Sequence, residues 1–158
     1  MNRYIAAFFA TLVCISTAQA TETYTTAAHA SNKANQALSR AQYYNLLSLY
    51  DDAYLNSDAL YNKYQAYLAG VDARNLAKHA FDMADLAYRE YGWTYFGYYG
   101  RLYAYYAWLY ANRAVPELWS IYIGANYFRQ ANNNLYWASV TNGFATYFLV
   151  YAITPTTP

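Results

Sequence analysis

Between residues 95 and 112 the chain reads YFGYYGRLYAYYAWLYAN, with seven tyrosines in eighteen residues. Its smallest side chains, Gly97, Gly100, Ala104, Ala107 and Ala111, recur at steps of three and four, the interval that stacks residues on one face of an α-helix. On a wheel of about 100° per residue they form a narrow strip, where the backbone of a neighbouring helix can approach closely. The opposite face is broad and holds Tyr95, Tyr98, Tyr99, Leu102, Tyr103, Tyr105, Tyr106, Leu109 and Tyr110, flanked by Arg101, Trp108 and Asn112. A strand would need strict alternation, which is absent. The expected fold class is therefore all-α, a compact bundle of about four to six helices joined by short turns.

Other segments carry similar signals. Tyr43, Leu47, Tyr50, Tyr54, Ser57, Tyr61, Tyr64 and Leu68 step by four and three along one helical face. Asp51-Asp52 and Asn56-Ser57-Asp58 mark a place where this helix either continues or breaks, with Ser57 as the cap of a second one. Gly70 suits a helix C-terminus and Asp72 the next N-cap. The helix over 72–91 is expected to bury Leu76, Ala80, Met83 and Ala87, with the pairs Lys78/Asp82 and Asp85/Arg89 on its wetter side. Gly92 and Thr94 repeat the stop-and-cap pair before the tyrosine block. Pro116 suits a helix first turn, Asn132-Asn133-Asn134 reads as a turn, and Asn142-Gly143 as a further candidate turn. DDAY, DALY and DLAY recur at unequal intervals, which argues against a solenoid.

Residues 1–20 have the three parts of a secretory leader: Arg3, the apolar run IAAFFATLVCI, and Ala18-Gln19-Ala20 as a small-x-small cleavage site. The bulky Val13 before Cys14 argues against a lipoprotein site. Since Cys14 is the one cysteine, a processed chain has no thiol, disulfide or thiolate metal site. The remaining length, roughly 140 residues, suffices for one domain that buries about two thirds of its surface. The domain is expected over 21–153, followed by a disordered tail over 154–158.

Ten Lys and Arg oppose nine Asp and Glu, and loss of Arg3 with the leader balances them. A near-neutral chain permits association and argues against nucleic acid, which is held largely by clustered basic residues. A membrane span is disfavoured too. Arg101 and seven phenols would be costly in hydrocarbon, and the apolar run over 144–153 is too short to cross.

Conventional catalytic and cofactor chemistry finds no motif. His79 and Asp82 lie one turn apart without a third metal ligand, and residues 52–58 lack the glycine and terminal glutamate of a calcium loop. No phosphate loop or nucleophile elbow occurs. The chain is expected to be non-enzymatic, with no cofactor and no metal.

Tyrosine is the abundant reactive group, with 23 in the chain. A tyrosine inside a helix commonly packs its ring and lets its hydroxyl reach water. A whole core of phenols would leave hydroxyls unpaired at about 1–3 kcal/mol each, so many must face solvent. Exposed phenols can be oxidised to DOPA and then to an electrophilic quinone, or to phenoxyl radicals that couple. The candidate oxidation and cross-link residues are Tyr95, Tyr98, Tyr99, Tyr103, Tyr105, Tyr106 and Tyr110. Candidate nucleophilic partners are Lys33, Lys63, Lys78, His29 and His79. These are few, so phenol–phenol coupling or a lysine-rich partner would carry much of a network. A secreted module whose aromatic face stacks on carbohydrate or apolar ligands is the alternative, and a small helical enzyme a third.

The segments YYNLLSLYDDAYLNSDALYNKYQAYLAG (residues 43–70) and AKHAFDMADLAYREYGWTYFGYYGRLYAYYA (residues 77–107), behind a leader, resemble the trematode eggshell synthesis proteins of the vitelline protein B type. The resemblance covers roughly residues 43–136 and rests on texture and short Tyr/Asp/Ala blocks. It implies a vitelline-cell precursor, stored in secretory granules and tanned into an extracellular shell. The implied partners are a phenol oxidase (tyrosinase) or peroxidase, other shell precursors and further copies of the chain. If residues 1–20 are a leader, secretion from a eukaryotic host should yield a product beginning at Thr21, as read by intact mass and N-terminal peptide mapping.

Overall fold

A computed structural model of the chain describes residues 2–91 and 94–153, with side chains from Ala18 onward. Four helices follow one another: α1 (Asn2–Ala53), α2 (Ala59–Tyr91), α3 (Tyr95–Tyr122) and α4 (Phe128–Ile153). Each packs along its sequence neighbours, and α4 returns against α1, while the diagonal pairs α1/α3 and α2/α4 barely touch. Short connections and square packing make this a four-helix bundle. The proposed leader precedes the first buried side chain described, Tyr24. Gly92 and the 154–158 tail lie outside the described residues.

Every helix turns a seam of mostly small residues inward. In α1 it comprises Tyr24, Ala27, Ser31, Ala34, Leu38, Ala41, Asn45 and Ser48, all buried. The α2 seam holds Ala66, Ala69, Ala73, Ala77, Ala80, Ala84 and Ala87. In α3 it is Gly97, Gly100, Ala104, Ala107, Ala111, Ala114, Leu118 and Ile121. In α4, Ala131, Leu135, Ala138, Asn142, Ala145 and Leu149 complete it. The alternation of three and four is the heptad spacing that keeps a seam facing its partner along a helix. The Gly/Ala strip expected over residues 97–111 is therefore one quarter of the core.

Small seams bring backbones together. A Cβ on Gly100 would meet Leu149 Cδ2 at 2.8 Å and the Leu149 backbone nitrogen at 3.3 Å. The core divides into two apolar clusters. One gathers Leu38, Leu118, Ile121 and Leu135 among alanines of all four helices; the other gathers Tyr24, Ala84, Ala104, Ala145 and Leu149. A buried polar contact lies between them along α1 and α4. The Ser31 hydroxyl donates to Asn142 Oδ1 at 2.9 Å, the Asn142 amide donates to the Ser31 carbonyl, and Thr146 Oγ1 stands 2.8 Å from Ser31 Oγ. A satisfied polar pair in an apolar seam penalises shifted registers.

Several expected breaks are absent because tertiary contacts override local signals. Gly70 does not end a helix, and Asp72 caps none, since α2 runs through both. Gly70 is instead a clearance, for a Cβ there would stand 2.5 Å from Leu118 Cδ1. Pro116 is internal to α3 rather than at a first turn, where burial of Val115, Leu118 and Ile121 outweighs its missing N–H. Asn132-Asn133-Asn134 and Asn142-Gly143 are helical within α4. Asn134 donates to both Glu117 carboxylate oxygens, at 3.0 and 2.8 Å, and Asn142 is held by Ser31, so neither amide competes with its own backbone.

Of the two readings of residues 51–58, the break is found. α1 ends at Ala53 and α2 starts at Ala59, so Ser57 stands one residue too early to cap it. Buried Asp51 accepts from Asn56 Nδ2 at 3.0 Å and from Asn62 Nδ2 at 2.6 Å, while Lys63 bridges to Asp52 at 2.7 Å. Leu55, at φ 55°, makes the left-handed step. Thr94 is the expected cap of α3 and accepts from the Gly97 amide at 3.0 Å. The α3–α4 turn uses Gly124 at φ 104°, a conformation for which glycine lacks the Cβ penalty.

The seam predicts a sharp contrast between neighbours. Ala107→Leu should destabilise by about 1–3 kcal/mol through overpacking, whereas Tyr106→Leu, one residue along on the wet face, should change stability by no more than about 0.5 kcal/mol. Urea denaturation of the two variants checks this.

Candidate functional site

With the interior occupied by alanine, the phenols are displaced outward. Of the tyrosines whose side chains are described, Tyr24 and Tyr88 are buried, seven are half-buried and thirteen are exposed. The Tyr43–Tyr64 stripe is helical except at Tyr54 and Ser57, which fall in the α1–α2 turn, but Tyr43, Tyr50, Tyr54, Tyr61 and Tyr64 face solvent while Ala41, Asn45 and Ser48 fill the core. A similar inversion holds in α2. Ala80 and Ala87 are fully buried as expected, but Leu76 and Met83 are only half-buried at its margin.

The seven candidate tyrosines of α3 do not converge on one point. Tyr95, Tyr99 and Tyr103 line the α4 side, where Tyr95 and Tyr99 rings are 4.7 Å apart, Tyr99 lies 5.4 Å from Phe148, and Tyr103 stacks on Phe148 at 5.5 Å. Tyr98 and Tyr105 face α2, against Tyr88 at 6.1 Å and Phe81 at 5.4 Å. Tyr106 touches Tyr105 at 5.7 Å, and Tyr110 reaches Trp137 at 6.5 Å. Tyr95, Tyr98, Tyr105 and Tyr106 are exposed, and Tyr99, Tyr103 and Tyr110 half-buried.

Two closer pairs lie elsewhere. Tyr50 and Tyr54 on α1 and the following turn have centroids 4.5 Å apart, and Tyr147 and Tyr151 on α4 are 4.6 Å apart. In both pairs the two rings are exposed. Their four-residue spacing, which brings side chains together on a helix, was the available signal. Hydrogen bonding to the Tyr151 phenol, with its Coulombic influence second, raises the Tyr147 phenol above its ordinary value.

The candidate nucleophiles are scattered. Lys33, His29 and His79 are exposed on α1 and α2. Lys63 is largely covered, tied to Asp52 and lying 5.9 Å over the Phe128 ring. Lys78 bridges to Asp82 at 2.5 Å, as expected, and stands 5.5 Å over Trp108 and 5.9 Å over Phe81, both packed on Tyr105. That bridge also engages the Asp82 carboxylate beside His79. Among the described residues, no group of three His, Cys, Asp or Glu side chains is placed to hold a metal ion. Nor, among the described residues, is any helix long and apolar enough to cross a membrane.

Asp85 was expected on the wet side of α2 with Arg89. The pair forms, but Asp85 is buried because Arg101 of α3 also reaches it, Nε to Oδ1 at 2.5 Å, with its guanidinium 5.2 Å over the Tyr88 ring. This clamp fixes α3 against α2, setting which tyrosines face which neighbour.

Tyr24 marks the protected extreme. Its ring is 4 % exposed, its hydroxyl makes no well-formed hydrogen bond, and a Cβ on Gly97 would crowd that oxygen at 2.3 Å. Burial pushes its phenol above the ordinary value; the nearby Thr94 hydroxyl lowers it and the Tyr88 phenol adds to the rise. An unfolded Tyr24 ionises near pH 10, so the folded state is intact below that pH and loses stability as the pH climbs towards the higher folded-state value. Tyr24→Phe should accordingly raise the midpoint of alkaline unfolding, followed by far-UV circular dichroism, with little change at neutral pH. Comparisons of the chain with protein-family models, with curated proteins and with solved structures give no match.

Proposed function

We propose that this chain is a secreted structural precursor of an eggshell or similar extracellular matrix, hardened by oxidation of its tyrosines. The observation that carries the reading is the partition of side chains: alanine inside, phenol outside. An oxidase is a macromolecule and needs rings that protrude, and thirteen tyrosines do so. A core of leucine or phenylalanine under a polar surface would serve a bundle equally well, so the surplus of exposed phenol calls for a use beyond folding.

Two chemistries suit this layer. A phenol oxidase using O2 adds an ortho hydroxyl, then removes two electrons and two protons to give a quinone, which Lys33, His29 or His79 of another copy can attack. A peroxidase using hydrogen peroxide removes one electron and one proton from each of two phenols, reducing the peroxide to two waters, and the two radicals join through a new covalent bond. The scarcity of free amines favours coupling between phenols, or with a lysine-rich shell partner. The close pairs Tyr50/Tyr54 and Tyr147/Tyr151 are placed for coupling within one chain, and Tyr95, Tyr98, Tyr105 and Tyr106 for links between chains. Such links would do for this cysteine-poor product what disulfides do for other small secreted domains.

Incubating the purified protein with tyrosinase should produce DOPA and covalent oligomers, with peptide mapping showing Tyr95, Tyr54 and Tyr61, each at least 60 % exposed, modified early and Tyr24 and Tyr88 last. Persistence of monomer with intact tyrosine would rule the reading out.

A further inference from the structure

α4 carries two faces. Its seam faces α1 and α3; the other face, with Tyr136, Phe144, Tyr147, Val150 and Tyr151, is between 44 and 53 % exposed at each of these positions. No Asp, Glu, Lys or Arg occurs anywhere after Arg129, so this surface lacks the charges that ordinarily keep a helix flank in water.

Gly143 lies at its centre, seven residues from both Tyr136 and Val150. Glycine inside a helix is destabilising relative to alanine, and within this bundle the others are explained: a Cβ on Gly70, Gly97 or Gly100 would collide with a packed side chain. A Cβ on Gly143 would meet nothing within 4 Å. The missing side chain therefore makes room for no contact with the described residues. It leaves a notch in an apolar depression lined by Ser139, Val140, Gly143, Phe144, Tyr147 and Phe148.

We propose that this face is an isologous interface with a second copy of the chain, α4 crossing α4 with the two-fold axis at Gly143. At a two-fold axis a residue faces itself, and the absence of Cβ lets the backbones approach while aromatic ridges of each copy enter the groove of the other. Half-exposed aromatics offer roughly 100 Å² each, so Tyr136, Phe144, Tyr147 and Tyr151, with Val140, Val150 and the marginal Trp137, offer at most roughly 600 Å² per copy, and their full burial in both copies, about 1,200 Å² in all, reaches the lower bound for a specific interface. A face whose one charge on α4 is Arg129, beside Tyr136 at its far end, offers little to steer a charged partner, and juxtaposes no like charges at its centre when it meets itself. The inference does not rest on tyrosine oxidation and is tested without any oxidase.

Sedimentation velocity over a concentration series, on the protein expressed from its full sequence, should show a reversible monomer–dimer equilibrium. Gly143→Lys should weaken association at least tenfold, and Gly143→Ala several-fold, while both keep or raise Tm because each improves the isolated helix. A chain that stays monomeric throughout, a dimer unaffected by Gly143→Lys, or association continuing past two copies would each overturn the proposal.

Discussion

The close approach of helix backbones across alanine and glycine is the constraint on which everything else rests. An alanine seam removes little apolar surface per residue compared with leucine, so its stabilisation must come from tight contact over long helices, where many weak dispersion terms add. At Gly100 and Gly70 the contact leaves no room even for a methyl group in the present packing. Such a seam does not specify its own register well, because one alanine resembles the next. The polar contacts supply that specificity: Ser31 with Asn142 joins α1 to α4, Arg101 with Asp85 joins α3 to α2, and Asp51 with Asn56 and Asn62 closes the α1–α2 turn.

Outward displacement of the tyrosines follows from the same geometry. Helices this close leave little space between them for rings: Tyr24 and Tyr88 are buried, but the other described tyrosines settle into the external grooves, where they pack edge to face or stacked on neighbouring rings while the hydroxyls of the exposed ones reach water. Tyr103 on Phe148 and Phe81 on Trp108, with interplanar angles of 3° and 5°, are the most parallel examples. The aromatic layer is thus a second, external packing zone, and one substitution in it removes area without opening a cavity in the seam.

This inversion explains what was legible beforehand. The Gly/Ala strip of α3 could be read correctly because residue size, rather than hydrophobicity, marked it. On α1 the Tyr43 stripe was identified as a helical face, but periodicity alone does not say which face is inside, and Tyr and Leu outrank Ala on a hydrophobic criterion. Thr94 was legible because capping is a local interaction between the hydroxyl and the Gly97 amide. Gly70, Pro116, Asn134 and Asn142 were not, since each carries a breaker's local signature while its actual role is fixed by a partner many residues away: Leu118, the surrounding α3 seam, Glu117 or Ser31. The candidate phenols of α3 were found by their density. The pairs Tyr50/Tyr54 and Tyr147/Tyr151 were less conspicuous, because two tyrosines one turn apart stand out little in a chain with so many.

Under the proposed function the division between seam and phenol layer has a mechanical consequence. Oxidising an exposed ring changes neither the volume nor the polarity of the interior, so the bundle can remain folded while its surface becomes covalently linked. A precursor with phenols in its core would have to unfold to react, and each modification would add a polar oxygen to a packed site. Gly143 extends the same logic to assembly. A pair formed before oxidation would cover Tyr147 and Tyr151 of both copies, so the first links would join one pair to the next through the exposed tyrosines of α1, α2 and the far side of α3, at an effective concentration of phenols above that of free chains.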